Sequence, residues 1–203
     1  MKKALFILVF CLLLSGCQND EDIKLQNGDI IFQTSTSSQS RAIQTATNSR
    51  YSHMGLLYEI DNKIYVFEAV QPVKLTPLEN WIERGKGKHY VVKRLKNSEE
   101  ILTPAAIERM EGEGRKYLGK SYDLYFEWSD DRIYCSELIW KIYKNALDIE
   151  PGELQRIGDF DIFHPEVKEK LKERYGDNIP LDELVISPEQ IYNSNLLETV
   201  VER

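Results

Sequence analysis

The sequence contains few cysteines and few histidines. Its 203 residues include three of each, with no Cys-x-x-Cys pair and no His/Cys cluster at the spacing of a tetrahedral zinc site. A disulfide scaffold needs a far higher cysteine density. The sequence therefore argues against a disulfide framework and a structural zinc site, and it predicts neither a metal nor another cofactor.

Positive charge is also scarce. The chain has 26 Lys and Arg residues against 33 Asp and Glu residues, which gives a formal net charge of −7 at pH 7. Proteins that bind nucleic acid release counterions through a basic face, so this balance argues against DNA or RNA as a partner. Hydrophobic residues at 42% and charged residues at 29% are typical of a globular chain.

The apolar run at residues 4–14 is shorter than the roughly 20 residues that a membrane-spanning helix needs. It follows Lys2 and Lys3 and ends in Leu14-Ser15-Gly16-Cys17, which resembles the lipobox of bacterial lipoproteins. We interpret residues 1–16 as a signal peptide that is cleaved before Cys17, and the resemblance implies that Cys17 carries lipid. The alternative is a plain signal peptide followed by a chance cysteine.

The lipobox also predicts where the protein resides. A lipidated Cys17 would anchor it to a bacterial membrane in the cell envelope, and Gln18 as the next residue favours the periplasmic side of the outer membrane. We interpret residues 17–24 as a polar tether and residues 25–203 as a single folded domain. The sequence does not indicate an oligomeric state.

The hydrophobic pattern predicts an α+β fold. We expect strands at 30–32, 55–60, 64–70 and 89–95, and helices at 103–117, 134–147 and 165–175, with shorter helices within 34–47 and from 189. Asp61 and Asn62 are suited to a two-residue turn between the second and third strands. These elements indicate one mixed core.

Cys135 falls in the first turn of the predicted helix at 134–147. A helix N-terminus stabilises a thiolate and aims backbone N–H groups at an adjacent oxyanion. If Cys17 carries lipid, Cys135 has no cysteine partner within the mature chain. We therefore interpret Cys135 as a candidate nucleophile, and the alternative is a small buried apolar side chain.

His53 is the histidine best placed to serve as the base. With Asp61 and Asn62 as the turn, Ile60 pairs with Lys63, and Glu68 lies on the same face as His53 at the diagonal position. An unpaired carboxylate in this apolar strand would be costly, so a histidine partner would account for Glu68. A strand-end glutamate in water would account for it equally well.

Four segments together resemble a known family. They are Asn27–Phe32, Ser52–Leu56, Gly119–Asp123 and Tyr134–Ile139, and in this order they resemble the permuted papain-like amidases of the YiiX and YaeF type, relatives of the NlpC-type cell-wall peptidases. The resemblance covers about residues 27–200. It implies a circularly permuted papain-like fold, an antiparallel sheet packed against helices, in which the histidine hairpin precedes the cysteine helix.

The resemblance also implies roles for individual residues. Cys135 corresponds to the nucleophile, His53 to the general base and Glu68 to the acid that orients the imidazole. Tyr122 corresponds to a tyrosine that lines the site near the oxyanion, and its alternative is a packed core aromatic. Tyr134 stands where the NlpC-type enzymes have an aspartate, which weakens the case for cell-wall specificity.

The activity that the resemblance implies is hydrolysis of amide bonds through a thioester on the cysteine. Small amides, peptides and cell-wall fragments are the expected substrates. One alternative is an acyltransferase or lipid hydrolase related to lecithin retinol acyltransferase, for which we expect an apolar entrance beside the site. Another is a lipoprotein that binds peptides or glycans without catalysis.

Overall fold

The computed structural model describes residues 24–203. The predicted signal peptide and Cys17 lie outside the described residues. None of the helices in the described part of the chain has the length and hydropathy needed to cross a bilayer.

Ten strands occur in residues 24–203, and six of them form one antiparallel sheet. These six are β1 (Ile30–Ser35), β2 (His53–Ile60), β3 (Lys63–Glu68), β4 (Lys74–Pro77), β5 (Gly85–Leu95) and β10 (Leu197–Glu202), in the order β10-β5-β1-β2-β3-β4. The other four form a parallel pair, β6 (Ser121–Tyr122) with β7 (Arg132–Ile133), and an antiparallel pair, β8 (Gln155–Arg156) with β9 (Leu184–Val185).

Seven α-helices surround this sheet within the described residues. They are α1 (Ser40–Thr47), α2 (Leu78–Glu83), α3 (Ser98–Ile101), α4 (Pro104–Arg115), α5 (Cys135–Leu147), α6 (Pro165–Tyr175) and α7 (Pro188–Tyr192), with a 3₁₀ turn at Ile157–Asp159. The predicted α+β class is confirmed.

The two faces of the sheet belong to different apolar clusters, because successive side chains of a strand point to opposite faces. Met54 and Leu56 of β2 contribute to the larger cluster, which also holds Leu138 and Ile142 of α5. Leu57 of β2 contributes to the smaller cluster, which α2 covers with the fully buried Trp81 and its neighbours. The sheet is therefore enclosed on both sides around β2.

The β2–β3 hairpin has the predicted register. Ile60 pairs with Lys63, and Leu56 pairs with Phe67. Asp61 and Asn62 have φ angles of 51° and 60°, the left-handed conformation that a type I′ turn requires at both positions. The strand after this turn ends at Glu68 rather than at the predicted residue 70.

Most predicted helices are also present, with shifted ends. The helix predicted at 103–117 begins at Pro104, where the Thr103 side chain accepts a hydrogen bond from the Ala106 backbone N–H, and it ends at Arg115. The strand β10 and the β4–α2 segment were not predicted. Both segments are short. The strand β10 pairs with β5, which lies about one hundred residues earlier in the chain, so no neighbouring residue indicates the pairing.

Candidate active site

Cys135 is the first residue of α5, at the helix N-terminus where the sequence predicted it. Tyr134 has extended φ and ψ angles, and its backbone N–H donates to Glu137 Oε2 at 3.3 Å. The Ser136 hydroxyl donates to the carbonyl oxygen of Ile186 at 2.7 Å. Cys135 is 3% exposed, so the first turn of α5 holds the thiol at a fixed and nearly buried position.

His53 and Glu68 meet across the β2–β3 hairpin. The His53 Nε2 atom lies 2.6 Å from Glu68 Oε2. Glu68 is fully buried, and its second carboxylate oxygen accepts a hydrogen bond from the Thr76 hydroxyl at 2.6 Å and another from the Arg84 guanidinium. A strand-end glutamate in water, the alternative that the sequence left open, is therefore wrong.

The charges of this pair follow from its contacts. Burial by itself would raise the pKa of Glu68, but the hydrogen bond and charge of His53, the Thr76 hydroxyl and the Arg84 guanidinium together lower it. Burial would likewise lower the pKa of His53, but hydrogen bonds and charge from Cys135 and Glu68 raise it to about 9. At neutral pH an ionised carboxylate thus faces a protonated imidazole.

The imidazole of His53 also contacts Cys135 and a tryptophan. The sulfur of Cys135 is near enough to raise the pKa of His53. Because Nε2 faces Glu68, the other ring nitrogen, Nδ1, is the one left for the thiol. The ring of Trp81 stacks on the imidazole with centroids 6.0 Å apart. His53 is thereby held between a carboxylate, an aromatic ring and a sulfur atom.

Tyr122 lies beside Cys135 because β6 pairs with β7, with Tyr122 opposite Ile133. Its hydroxyl accepts a hydrogen bond from Gln39 Nε2 at 3.0 Å. Burial and the nearby sulfur of Cys135 raise the pKa of Tyr122 well above its usual value of 10. The phenol therefore stays protonated at neutral pH and remains a hydrogen-bond donor.

A largely apolar cavity opens at Cys135. It has a volume of about 110 Å³ and lies between α1, α6 and the segments before α7. Besides Cys135 and Tyr122, its wall includes Ala42, Ile43, Ala46, Phe126, Ile157, Phe160, Ile162, Val167, Leu171, Val185 and Ile186. This is the kind of entrance that we expected for an enzyme acting on acyl chains.

Four polar residues at the site were not predicted from the sequence. Thr76 and Arg84 bind Glu68 from β4 and the end of α2, and Gln39 and Arg174 form a chain that ends at Tyr122. The only available signal was the polar Thr76 between the apolar residues Leu75 and Pro77. The other three are surface-type residues that long-range packing brings to the site.

Other candidate acids and histidines are engaged elsewhere. Asp29 accepts hydrogen bonds from the Arg94 guanidinium at 2.7 and 2.8 Å, and Asp123 accepts two backbone N–H groups of its own loop. His89 lies 3.8 Å from Glu202 on β10, and His164 caps α6. The structure therefore brings together His53, Glu68 and Cys135, with Tyr122 beside them.

Comparisons with known proteins agree with this arrangement. Residues 24–201 match the family described as permuted papain-like amidase enzyme, YaeF/YiiX, C92 family. The uncharacterized protein YiiX of Escherichia coli strain K12 is 51% identical over 175 residues, which cover 86% of this chain and 85% of that protein. A crystal structure of the metalloprotein yiiX from Escherichia coli O157:H7 is also 51% identical. It superposes with a TM-score of 0.84 over 88% of this chain and 97% of that chain.

The donor set at this site does not fit a resident metal. Within residues 24–203, no group of three or more His, Cys, Asp or Glu side chains is arranged to hold a metal ion. The His53 Nε2 atom and the Glu68 carboxylate are already bound to each other, and Thr76 and Arg84 occupy the second carboxylate oxygen. The family match, the relatives and the observed permuted papain-like fold agree with the motif resemblance, and the chain belongs to the permuted papain-like amidase family of the YaeF/YiiX type.

Proposed function

We propose that the protein is a cysteine amidase that forms a thioester on Cys135 and acts on amides with an apolar acyl chain. The observation that carries this proposal is the apolar cavity at Cys135, which lies next to the hydrogen-bonded His53 and Glu68. Peptidoglycan stem peptides are polar, and the cavity wall offers them few hydrogen-bond partners. An acyl chain would fill the same space with favourable burial of its surface.

The proposed reaction begins with proton transfer between neighbours. The Cys135 proton passes to His53 before the substrate binds, which accounts for the protonated imidazole, and the imidazolium stabilises the negative charge on sulfur. The thiolate attacks the carbonyl carbon, and the oxygen becomes negatively charged. The backbone N–H of Cys135, which has no acceptor within α5 because it is the first helical residue, and the Tyr122 hydroxyl are the donors that face this oxyanion.

His53 then completes both halves of the reaction. It gives its proton to the leaving amine as the tetrahedral intermediate collapses to the thioester. A water molecule, from which His53 removes a proton, attacks the thioester and releases the carboxylic acid and the free thiol. The net change is amide plus water to acid plus amine.

The test compares acyl chains of different length on one amine. We expect kcat/KM for octanoyl and palmitoyl amides to exceed that for the acetyl amide, with released amine as the readout. Ala46→Trp should fill the cavity and lower kcat/KM for the palmitoyl amide, while the acetyl amide is cleaved as before. Ala105→Trp on the exposed side of α4 is the matched control and should behave like the wild type.

Two results would contradict the proposal. If the protein cleaved cell-wall fragments in preference to every acyl amide, the substrate would be a peptide rather than an amide with an acyl chain. Absence of turnover on all of these substrates, with the thiol intact, would favour the non-catalytic binding protein.

The lipid anchor is a separate part of the proposal. The lipobox ending at Cys17 supports attachment to the bacterial envelope. An anchor of this kind would hold the cavity close to a membrane, where acyl-chain substrates are concentrated. The proposed anchor and the apolar wall of the cavity are independent observations, and both favour a substrate that carries an acyl chain.

A further inference from the structure

Three side chains from separate elements form one hydrogen-bonded chain at the edge of the cavity. The Arg174 guanidinium, on α6, donates to Gln39 Oε1 at 2.6 Å. Gln39, which directly precedes α1, donates through Nε2 to the Tyr122 hydroxyl oxygen at 3.0 Å. Gln39, Arg174 and Tyr122 all line the cavity that contains Cys135.

Arg174 determines which group donates and which accepts in each of these two hydrogen bonds. A guanidinium only donates hydrogen bonds, so the Gln39 atom that faces it is the amide oxygen, and the amide NH₂ group is the one that faces Tyr122. The guanidinium itself is held 4.8 Å from the ring centroid of Phe126, a second residue of the cavity wall. Gln39 therefore has one amide orientation that satisfies both of its neighbours.

This orientation decides what the phenol can do. A tyrosine hydroxyl has a single proton, and the Tyr122 oxygen already accepts from Gln39. The proton is thus left for another acceptor, and the phenol keeps it because burial and the Cys135 sulfur raise its pKa. The neighbouring space on the cavity side is where the carbonyl oxygen of a group bound to Cys135 would lie.

We propose that Gln39 and Arg174 are positioning residues that aim the Tyr122 proton at the oxyanion formed on Cys135. This inference rests on the proposed function and goes beyond it, because it assigns the alignment of the oxyanion donor to two residues that the catalytic triad does not include. Gln39 directly precedes α1, Arg174 lies on α6 and Tyr122 lies on β6. The donor is consequently aligned only when both helices that flank the cavity are in place.

The test reverses the direction of the hydrogen bond between residue 39 and Tyr122 and keeps a side chain of the same size at residue 39. In Gln39→Glu a carboxylate replaces the amide, still pairs with Arg174, and accepts the Tyr122 proton instead of donating to its oxygen. We expect kcat to fall by roughly tenfold or more while KM changes little, because the lost interaction exists mainly in the transition state. The double variant Gln39→Glu/Tyr122→Phe should be no slower than Tyr122→Phe alone, since both changes remove the same donor.

A second measurement separates this inference from the proposed function. Octanal adds to a reactive thiol to form a hemithioacetal, whose oxygen needs the same donor but which requires no turnover. Its affinity, measured as protection of Cys135 from iodoacetamide, should be about tenfold weaker in Gln39→Glu than in the wild type. Ser38→Glu, which adds the same charge at the neighbouring exposed residue, is the matched control and should keep wild-type affinity.

The outcomes are distinguishable. Equal protection of the wild type and Gln39→Glu, or a loss in Gln39→Glu that adds to that of Tyr122→Phe, overturns the positioning role and leaves the amidase proposal standing. Failure of octanal to protect the wild type overturns the thiol chemistry and the positioning role together.

Discussion

The His53 Nε2 atom lies 2.6 Å from Glu68 Oε2, and the other oxygen of the same carboxylate is held by Thr76 and Arg84. Glu68 is fully buried, whereas the Arg84 side chain is 44% exposed. The low polarity around a buried carboxylate strengthens its ion pairs. Removing one partner leaves an uncompensated buried charge and lowers the free energy of unfolding. The orientation of the imidazole therefore depends on a carboxylate that cannot rotate.

Glu68→Gln should retain the shape of this contact and lose its charge. We expect the pKa of His53 to fall from about 9, because burial would then be opposed by fewer favourable contacts. The alkaline limb of kcat, which reports loss of the imidazolium proton, should move to lower pH, and kcat should drop by about 10²-fold or more. The measurements are the pH profile and an NMR titration of the His53 ring.

Glu79→Gln on the exposed side of α2 is the control for this experiment and should leave the pH profile unchanged.

The raised pKa of His53 also predicts how the free energy of unfolding depends on pH. His53 has a folded-state pKa above its usual 6.5, so its stabilisation is complete below pH 6.5 and is lost as the pH rises through about 9. A pH profile in Glu68→Gln identical to that of the wild type would make Glu68 a bystander.

Cys135→Ser and Cys135→Ala should abolish turnover with little change in melting temperature. The thiol is small, and its first helical turn is held by Glu137 and Ser136 rather than by the sulfur. In the wild type, iodoacetamide should label Cys135 at neutral pH, since the protonated His53 stabilises a thiolate. A thiol that resists labelling in the folded protein would argue against the nucleophile.

Gly55→Ala should destabilise the protein and reduce activity. A Cβ atom at Gly55 would lie 2.2 Å from Val66 Cγ1 and 3.0 Å from the carbonyl oxygen of Phe67, so β2 and β3 would have to separate next to Glu68. We expect a loss of about 1–3 kcal/mol in the free energy of unfolding, as for other overpacked sites. Chemical denaturation measures it.

Gly112→Ala provides the matched control in a helix. The nearest atom to a Cβ at Gly112 is a nitrogen of Arg115 at 3.8 Å, so the methyl group fits. Alanine is the better helix former, and the free energy of unfolding should rise by about 0.5–1 kcal/mol. If both alanines had the same effect, close approach of the strands at Gly55 would not be the cause.

Cys17→Ala tests the proposed anchor. If Cys17 carries the lipid, the variant should move from the membrane fraction to the soluble fraction while the folded domain keeps its activity, because a polar tether separates the two. Fractionation followed by an activity assay measures both. A variant that still sediments with membranes would show that the lipobox interpretation is wrong.

Local sequence signals account for the parts of the site that the sequence could predict. Asp61 and Asn62 set the turn, the turn sets the register, and the register puts Glu68 on the face of His53. The amphipathic pattern after Tyr134 likewise placed Cys135 at a helix start. These inferences need only neighbouring residues and the geometry of strands and helices.

The remaining contacts depend on packing over long stretches of chain. Arg84 reaches Glu68 only because α2 folds back over β3, and Arg174 reaches Gln39 from 135 residues away. No periodicity in the sequence marks such a pair, because both residues look like ordinary surface positions. The same reason explains why β10 was missed.

The two halves of the site differ in how much of the chain must be ordered to make them. His53 and Glu68 are fifteen residues apart and meet within one hairpin, so a short loop closure creates the oriented imidazole. Cys135 joins them only after α5 docks on the sheet. A partly folded chain in which this helix is detached would have an aligned base and no activated sulfur, and its thiol would react no faster than an ordinary cysteine.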